Sequence, residues 1–139
     1  MSDLLIARIL LILVFAICGW SLWKGGSAER AGAILVLANT LLGLPVTHML
    51  HPVAKLTFDG VTALVFVGLA IRFTSKWLGV VMLLYGAQFG LNAYYFVMAK
   101  EHDLTFARAN NLIFLFVCMS LAAGVIGYIR GSRTAEGAA

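Results

Sequence analysis

Long apolar runs separated by short polar segments divide the chain into five stretches, each long enough to cross a bilayer as a helix. About 20 apolar residues are needed to span a hydrocarbon core about 30 Å thick. The pattern predicts an all-α bundle of five transmembrane helices with short loops, forming a single integral membrane domain over residues 1–139. The predicted spans are residues 4–23, 30–48, 53–71, 77–98 and 106–129. We expect the small and polar residues from Gly131 onward to form a frayed tail.

The fourth run combines a polar face with a face of small residues. At about 100° per residue, one face carries four polar or hydroxyl-bearing side chains: Tyr85, Gln88, Asn92 and Tyr95. Gly86 and Gly90 fall on nearly the opposite face. A helix with these two faces has a reason to pack on both sides, so we expect the fourth helix to lie at the centre of the bundle.

Two interpretations of this polar face stay open. Polar side chains at mid-membrane usually face the protein interior or a wet cavity, because they are costly in lipid. In the structural interpretation, Gln88 and Asn92 hydrogen-bond to neighbouring helices, for example to Asn39 of the second run. In the functional interpretation, they line a pocket for a small polar head group, with Tyr85 and Tyr95 as its walls.

Asp59 is the one acidic residue inside a predicted span. An intramembrane carboxylate is a candidate proton or cation site. The alternative is an ion pair at the membrane interface, either with Lys55 one helical turn earlier or with Arg108. The candidate ligand-binding residues are therefore Tyr85, Gln88, Asn92, Tyr95, Asn39 and Asp59.

Two histidines three residues apart, His48 and His51, are weak candidates for a metal site. Helices use this spacing to bring two imidazoles to one ion, and Met49 and His102 could complete a set suited to copper. However, Pro52 ends the segment, and no acidic or cysteine ligand stands beside the histidines. We therefore expect no metal and no cofactor, and the sequence contains no catalytic motif.

Two pairs of small residues recur at helical spacing, Gly86-x-x-x-Gly90 and Ala123-x-x-x-Gly127. Such pairs let two helices approach closely. They serve either packing inside the bundle or the formation of a homo-oligomer, and the sequence leaves both open.

The composition requires a bilayer as solvent. Hydrophobic residues make up 62% of the chain and charged residues only 12%, against about 25% charged in soluble domains. Cys18 and Cys118 lie in apolar runs, where cysteine acts as a small packing residue. The net charge is +4, but the basic residues are spread singly through short loops, so we expect no nucleic-acid partner.

The basic residues also predict an orientation. One side of the predicted bundle carries six of them: Lys24, Arg30, Arg72, Lys76, Arg130 and Arg133. The other side carries four: Arg8, Lys55, Lys100 and Arg108. Since cytoplasmic loops carry the excess of Lys and Arg, we expect a multi-pass protein of the bacterial inner membrane with its N-terminus outside and its C-terminus inside.

Short motifs from Lys24 onward carry a resemblance. They are Gly25-Gly26 before Glu29-Arg30, Asp59 early in the third run, Arg72 before Trp77, and Gln88 in the fourth run. In these features the chain resembles an uncharacterised family of small alphaproteobacterial polytopic inner-membrane proteins. The resemblance implies a polytopic helical fold and no particular chemistry, and it does not extend to the histidines of residues 48–52.

Three classes of function are compatible with the sequence. Minimal loops and the absence of a catalytic motif favour an accessory or assembly partner of another membrane protein. The alternative is a small oligomeric carrier or pore that passes a small molecule or ion along the polar stripe of helix four. The third class is an enzyme or electron carrier built on His48, His51 or Asp59.

Overall fold

The computed structural model describes the backbone of residues 3–49, 52–101 and 103–137, and the side chains of residues 5–42, 53–101 and 103–135. This part of the chain forms five α-helices and no strand. They are α1 (Asp3–Lys24), α2 (Ser27–Met49), α3 (Pro52–Phe73), α4 (Lys76–Val97) and α5 (Leu104–Gly137). The predicted all-α bundle with short loops is therefore confirmed.

Four helices are long and apolar enough to cross a membrane, over Leu5–Lys24, Val53–Phe73, Lys76–Val97 and Leu104–Ala135. α2 matches the others in length but is not among these four. Glu29 and Arg30 in its first turn and Asn39 near its middle lower its hydropathy, and its last turns lie outside the described side chains. The expectation of five spans is thus met for four helices.

α5 is longer than the sequence pattern predicts. It continues to Gly137 instead of ending near residue 129, so the expectation of a frayed tail from Gly131 is wrong. A single glycine weakens a helix without ending it, and the side chains of Ser132 and Thr134 hydrogen-bond to backbone carbonyls of the preceding turn. At 1.5 Å per residue α5 is roughly 50 Å long, well beyond the hydrocarbon core.

The five helices form a closed ring. Each helix packs against its neighbours in sequence, α5 returns to α1, and α2 also touches α5 across the ring. Consecutive helices run in opposite directions because their connections are short. We call the end where α1, α3 and α5 begin the pocket end, and the end where α2 and α4 begin the Glu29 end.

α4 is not the central helix that the sequence predicts, since its main packing neighbours are α3 and α5. Its polar face is buried, but Gly86 and Gly90 are exposed, and a Cβ added to either would meet no atom within 4 Å. Gly127 is equally open and Ala123 is exposed. Both pairs lie on the outer surface of the ring, so neither packs against another helix within the described part of the chain.

The apolar core fills the middle of the ring and its Glu29 half. The buried side chains at its centre are Val14, Cys18, Ala33, Val36, Phe66, Leu78, Val81, Tyr85, Val117, Cys118 and Leu121. Both cysteines are free thiols in this core, as expected for packing residues. Large apolar side chains also cover the outside of the bundle, for example Ile12, Leu64 and Leu83. A surface of this kind is normal for helices that face lipid.

Candidate functional site: a polar pocket between the helices

A hydrogen bond between α3 and α4 anchors the polar centre of the bundle. Asn92 Nδ2 donates to Asp59 Oδ2 at 2.6 Å, and both side chains are buried. Asp59 lies inside the bundle, since its residue is only 4% exposed. A buried carboxylate needs such donors, because an isolated charge in a low-dielectric interior is very costly.

A second polar contact joins α2 to α3. Thr62 Oγ1 donates to Phe58 O at 2.9 Å and lies 3.3 Å from Asn39 Oδ1. The Tyr85 hydroxyl lies close enough to Asn39 to interact with it, but the geometry falls short of a hydrogen bond. The Tyr85 ring stacks on Phe66 with centroids 5.0 Å apart. Tyr85 therefore lies at the boundary between the polar centre and the apolar core.

A partly open pocket of about 230 Å³ lies beside Asp59. Every helix contributes to its lining: Ala7, Leu10, Leu11, Asn39, Thr40, Leu42, Lys55, Phe58, Asp59, Gln88, Asn110, Asn111 and Phe114. By the rise of an α-helix, the uncharged polar residues and Asp59 lie roughly 9–15 Å from the helix ends at the pocket end, and Lys55 lies about 5 Å from that end. The pocket is thus sunk into the bundle at the depth of the bilayer interior.

Two residues of the pocket carry an amide oxygen without a partner among the described residues. Gln88 Oε1 and Asn110 Oδ1 are both buried and accept no hydrogen bond from this part of the chain. Leaving a buried acceptor unpaired costs about 1–3 kcal/mol. Unpaired buried groups in a polar pocket are therefore positions where a ligand or water is expected to donate.

Lys55 brings a positive charge to the pocket, one helical turn nearer the pocket end than Asp59. Its Nζ lies 5.5 Å from the centre of the Phe106 ring, and its charge acts on Asp59. Among the described residues these two charges form no direct ion pair. Arg108, the other predicted partner of Asp59, is exposed and does not line the pocket. The interfacial ion pair is therefore not what the structure forms.

Tyr95 does not line the pocket, although the sequence groups it with Gln88 and Asn92. Its hydroxyl donates to Asp103 Oδ1 at 2.8 Å, and its ring packs edge-on against Phe106. Asp103 Oδ1 also accepts the backbone N–H of Phe106 at 2.8 Å, which makes Asp103 the N-cap of α5. These two hydrogen bonds lower the pKa of Asp103, and the bond from the Phe106 N–H contributes more than the bond from the Tyr95 hydroxyl.

The structure brings together only part of the predicted set. Asn39, Asp59 and Gln88 line the pocket. Asn92 is not part of the lining but donates a hydrogen bond to Asp59. The lining also includes four polar residues that the sequence did not single out as site residues: Thr40, Lys55, Asn110 and Asn111. The two adjacent asparagines early in the fifth run were the available signal, because amides inside an apolar run usually face a polar partner.

A separate polar cluster at the Glu29 end is fully satisfied. Glu29 Oε2 accepts the Gly26 N–H at 3.1 Å, while Oε1 accepts the Trp77 Nε1–H at 3.1 Å. The first bond is half of a capping box, in which the third residue of a helix binds the N-cap amide. Ser21 Oγ donates to Glu29 O at 2.8 Å. Glu29 therefore ties α1, α2 and α4 together and leaves no group for a ligand.

The weak metal candidates cannot be placed. His51 and His102 lie outside the described residues, and the side chain of His48 is not described either. Within the described residues, no three His, Cys, Asp or Glu side chains are grouped as a metal site would require.

No family model, curated protein or solved structure matches this chain. The resemblance to small alphaproteobacterial inner-membrane proteins therefore stays a prediction. Fold and pocket geometry alone support the functional argument below.

Proposed function

We propose that this protein binds a small polar molecule in the pocket between its helices, as the binding state of a small membrane carrier. The observation that supports this most directly is the pair of unpaired amide oxygens, Gln88 Oε1 and Asn110 Oδ1, buried beside Asp59 in one pocket. Unpaired buried acceptors reduce the stability of a protein. They give no benefit to a protein whose polar groups serve only its own fold or the binding of a partner protein. A ligand that donates hydrogen bonds offsets this cost.

The surroundings of the pocket favour a carrier over an open pore. Below the polar centre, the space between the helices is filled by the apolar core, including Phe66, Val81 and Leu121. A water-filled path would need polar lining through this layer, whereas a carrier has a pocket that is open to one side at a time. The role as an accessory or assembly partner stays a prediction, because no feature of the described residues specifically favours it.

The membrane arrangement that goes with this function has five spans. Since α1 and α3 both cross the bilayer and run in the same direction, the chain must return between them, and α2 is the segment that returns. With the basic residues as the guide, the N-terminus lies in the periplasm and the C-terminus in the cytoplasm of the bacterial inner membrane. The pocket then opens to the periplasm.

Native mass spectrometry of the protein purified in a mild detergent tests the proposed function. The expected result is a small molecule or lipid retained by the wild type and lost from Gln88→Leu, with both proteins folded. Val80→Leu, a conservative change on the exposed face of the same helix, is the matched control and should retain it. Equal retention, or equal absence, in all three proteins would contradict the proposal.

A further inference from the structure

The charges and acceptors of the pocket restrict what it can bind. Three of its groups are oxygen acceptors from three different helices: the Asp59 carboxylate on α3, Gln88 Oε1 on α4 and Asn110 Oδ1 on α5. One Asp59 oxygen accepts from Asn92, which holds the carboxylate in place, and the other oxygen accepts no hydrogen bond from the described residues. A set of this kind matches a ligand group that donates several hydrogen bonds and carries a positive charge, which is the chemistry of a primary ammonium.

Gln88 provides evidence of a ligand that does not depend on the acidic residue. It is 9% exposed, it lines the pocket, and its Oε1 has no partner. Asn110, on the neighbouring helix α5, is half-buried and lines the same pocket, and its Oδ1 also has no partner among the described residues. The pocket thus has two amide oxygens, on separate helices, to which no described residue donates.

Lys55 adds the opposite charge at the same pocket. Because Lys55 and Asp59 form no direct ion pair among the described residues, each is available to a ligand. Lys55 lies nearer the pocket end and its Nζ lies over the Phe106 ring, whereas Asp59 lies deeper beside Asn92. When a ligand enters with its ammonium group leading, its anionic group lies against Lys55.

We infer that the pocket binds a zwitterion, a small molecule or head group with a primary ammonium at one end and an anionic group near it. The ammonium binds Asp59, Gln88 and Asn110, and the anionic group binds Lys55. The charges of Lys55 and Asp59 cancel, and a zwitterion brings no net charge to them. Transfer of a zwitterion into this low-dielectric site therefore costs less free energy than transfer of an ion. The volume of about 230 Å³ suits a small amino acid or a phosphoethanolamine group.

This inference rests on the proposed function and specifies its ligand. The same chemistry has two sources, a free amino compound or the head group of phosphatidylethanolamine. Binding to the detergent-purified wild type is measured for glycine and phosphoethanolamine as zwitterions, ethylamine as a cation, acetate as an anion and glycerol as a neutral donor. In a parallel arm, the lipid retained after purification is compared between nanodiscs of phosphatidylethanolamine and of phosphatidylcholine, whose quaternary ammonium donates no hydrogen bond.

A zwitterion should bind at least tenfold more tightly than ethylamine, and acetate should not bind. Selective retention of phosphatidylethanolamine with weak binding of both free zwitterions identifies the lipid as the source, and the reverse identifies the free solute. Lys55→Gln should reduce the preference for a zwitterion over ethylamine at least tenfold, while Asp59→Asn should remove the binding of both. Arg108→Gln and Glu101→Gln, exposed residues outside the pocket lining, are the matched controls and should behave as the wild type.

Different results overturn the choice of a zwitterion and the proposed function. If glycerol binds as tightly as the zwitterions and Asp59→Asn keeps that binding, the inference is overturned while the proposed function stands. If no probe binds and neither lipid is retained, both are overturned. If Asp59→Asn fails to fold, the relative affinities of the probes for the wild type and for Lys55→Gln still test the inference. Lys55→Gln is expected to fold, because Lys55 is only half-buried and is not part of the apolar core.

Discussion

At the scale of single residues, the buried polar groups divide into those that are paired and those that are not. Asn92 is paired with Asp59, and Glu29 is paired with Gly26 and Trp77. Gln88 Oε1 has no partner. Under the proposed function, this contrast separates groups that support the fold from a group that would pair with a ligand, and stability measurements can distinguish the two.

Gln88→Leu and Asn92→Leu should therefore have opposite effects on stability. Gln88→Leu removes an unpaired acceptor and should leave the temperature of thermal unfolding unchanged or slightly raised when both proteins are compared free of ligand. Asn92→Leu removes the donor to a buried carboxylate and should destabilise the protein by about 1–3 kcal/mol. Equal destabilisation by both variants would show that Gln88 is also paired in the fold.

Asp103 should give the protein a measurable sensitivity to acid. The Phe106 N–H and the Tyr95 hydroxyl lower its pKa in the folded protein relative to the unfolded chain. Its stabilising contribution is therefore complete above the ordinary aspartate pKa of about 3.9 and is lost as the pH falls through the lowered folded value. Unfolding followed between pH 3 and 6 should show this loss in the wild type and not in Asp103→Ala. If Asp103→Ala loses stability with falling pH just as the wild type does, this role of Asp103 is contradicted.

At the scale of elements, the helices themselves were predictable and their relative placement was not. Apolar runs predict the existence of helices because each run must cross the same thickness of lipid. The grouping of Tyr95 with Gln88 follows from helical periodicity, but seven residues separate the two by roughly 10 Å along the axis. This distance places Tyr95 at the loop rather than in the pocket. The adjacent amides Asn110 and Asn111 in an apolar run indicate a polar partner, but which pocket they line depends on how α5 packs on its neighbours.

Trp77 of α4 is held in a slot between α2 and α5 that requires two glycines. A Cβ added to Gly124 would lie 2.7 Å from Trp77 Nε1, and one added to Gly32 would lie 2.5 Å from Trp77 Cη2. Gly124→Ala should displace the indole from Glu29 and destabilise the protein by about 1–3 kcal/mol. Gly127→Ala, on the same helix with open space around it, is the matched control and should unfold as the wild type does. Equal tolerance of both changes would show that the slot does not constrain the indole.

The exposed face of α4 gives a test of a different kind. Since nothing lies within 4 Å of a Cβ at Gly86, Gly86→Leu should leave the fold of the single chain intact. Size-exclusion chromatography combined with thermal unfolding should show an unchanged stability of the monomer. A loss of monomer stability would contradict the placement of Gly86 on the outer surface, whereas a change confined to the oligomeric state would support the formation of a homo-oligomer, one of the two alternatives that the sequence leaves open.

At the scale of the whole molecule, the bundle has two different halves. The Glu29 half is closed by the apolar core and by a satisfied carboxylate, while the other half encloses the polar pocket. All helices of the ring contribute to this pocket, so its shape depends on how they tilt against one another. In the proposed function, the binding site is therefore open to one side of the bundle only.

The accessibility of introduced cysteines shows from which side of the membrane the pocket can be reached. The wild type provides a silent background, since Cys18 and Cys118 are each 1% exposed. Asn111→Cys places a thiol in the pocket lining, and Ser21→Cys places one in the buried Glu29 half, where the native serine is 0% exposed. Both are treated with a membrane-impermeant thiol reagent in right-side-out and in inverted vesicles. The expected result is labelling of Asn111→Cys from the periplasmic side alone and none of Ser21→Cys, whereas labelling of Asn111→Cys from both sides, or from neither, would contradict a one-sided pocket.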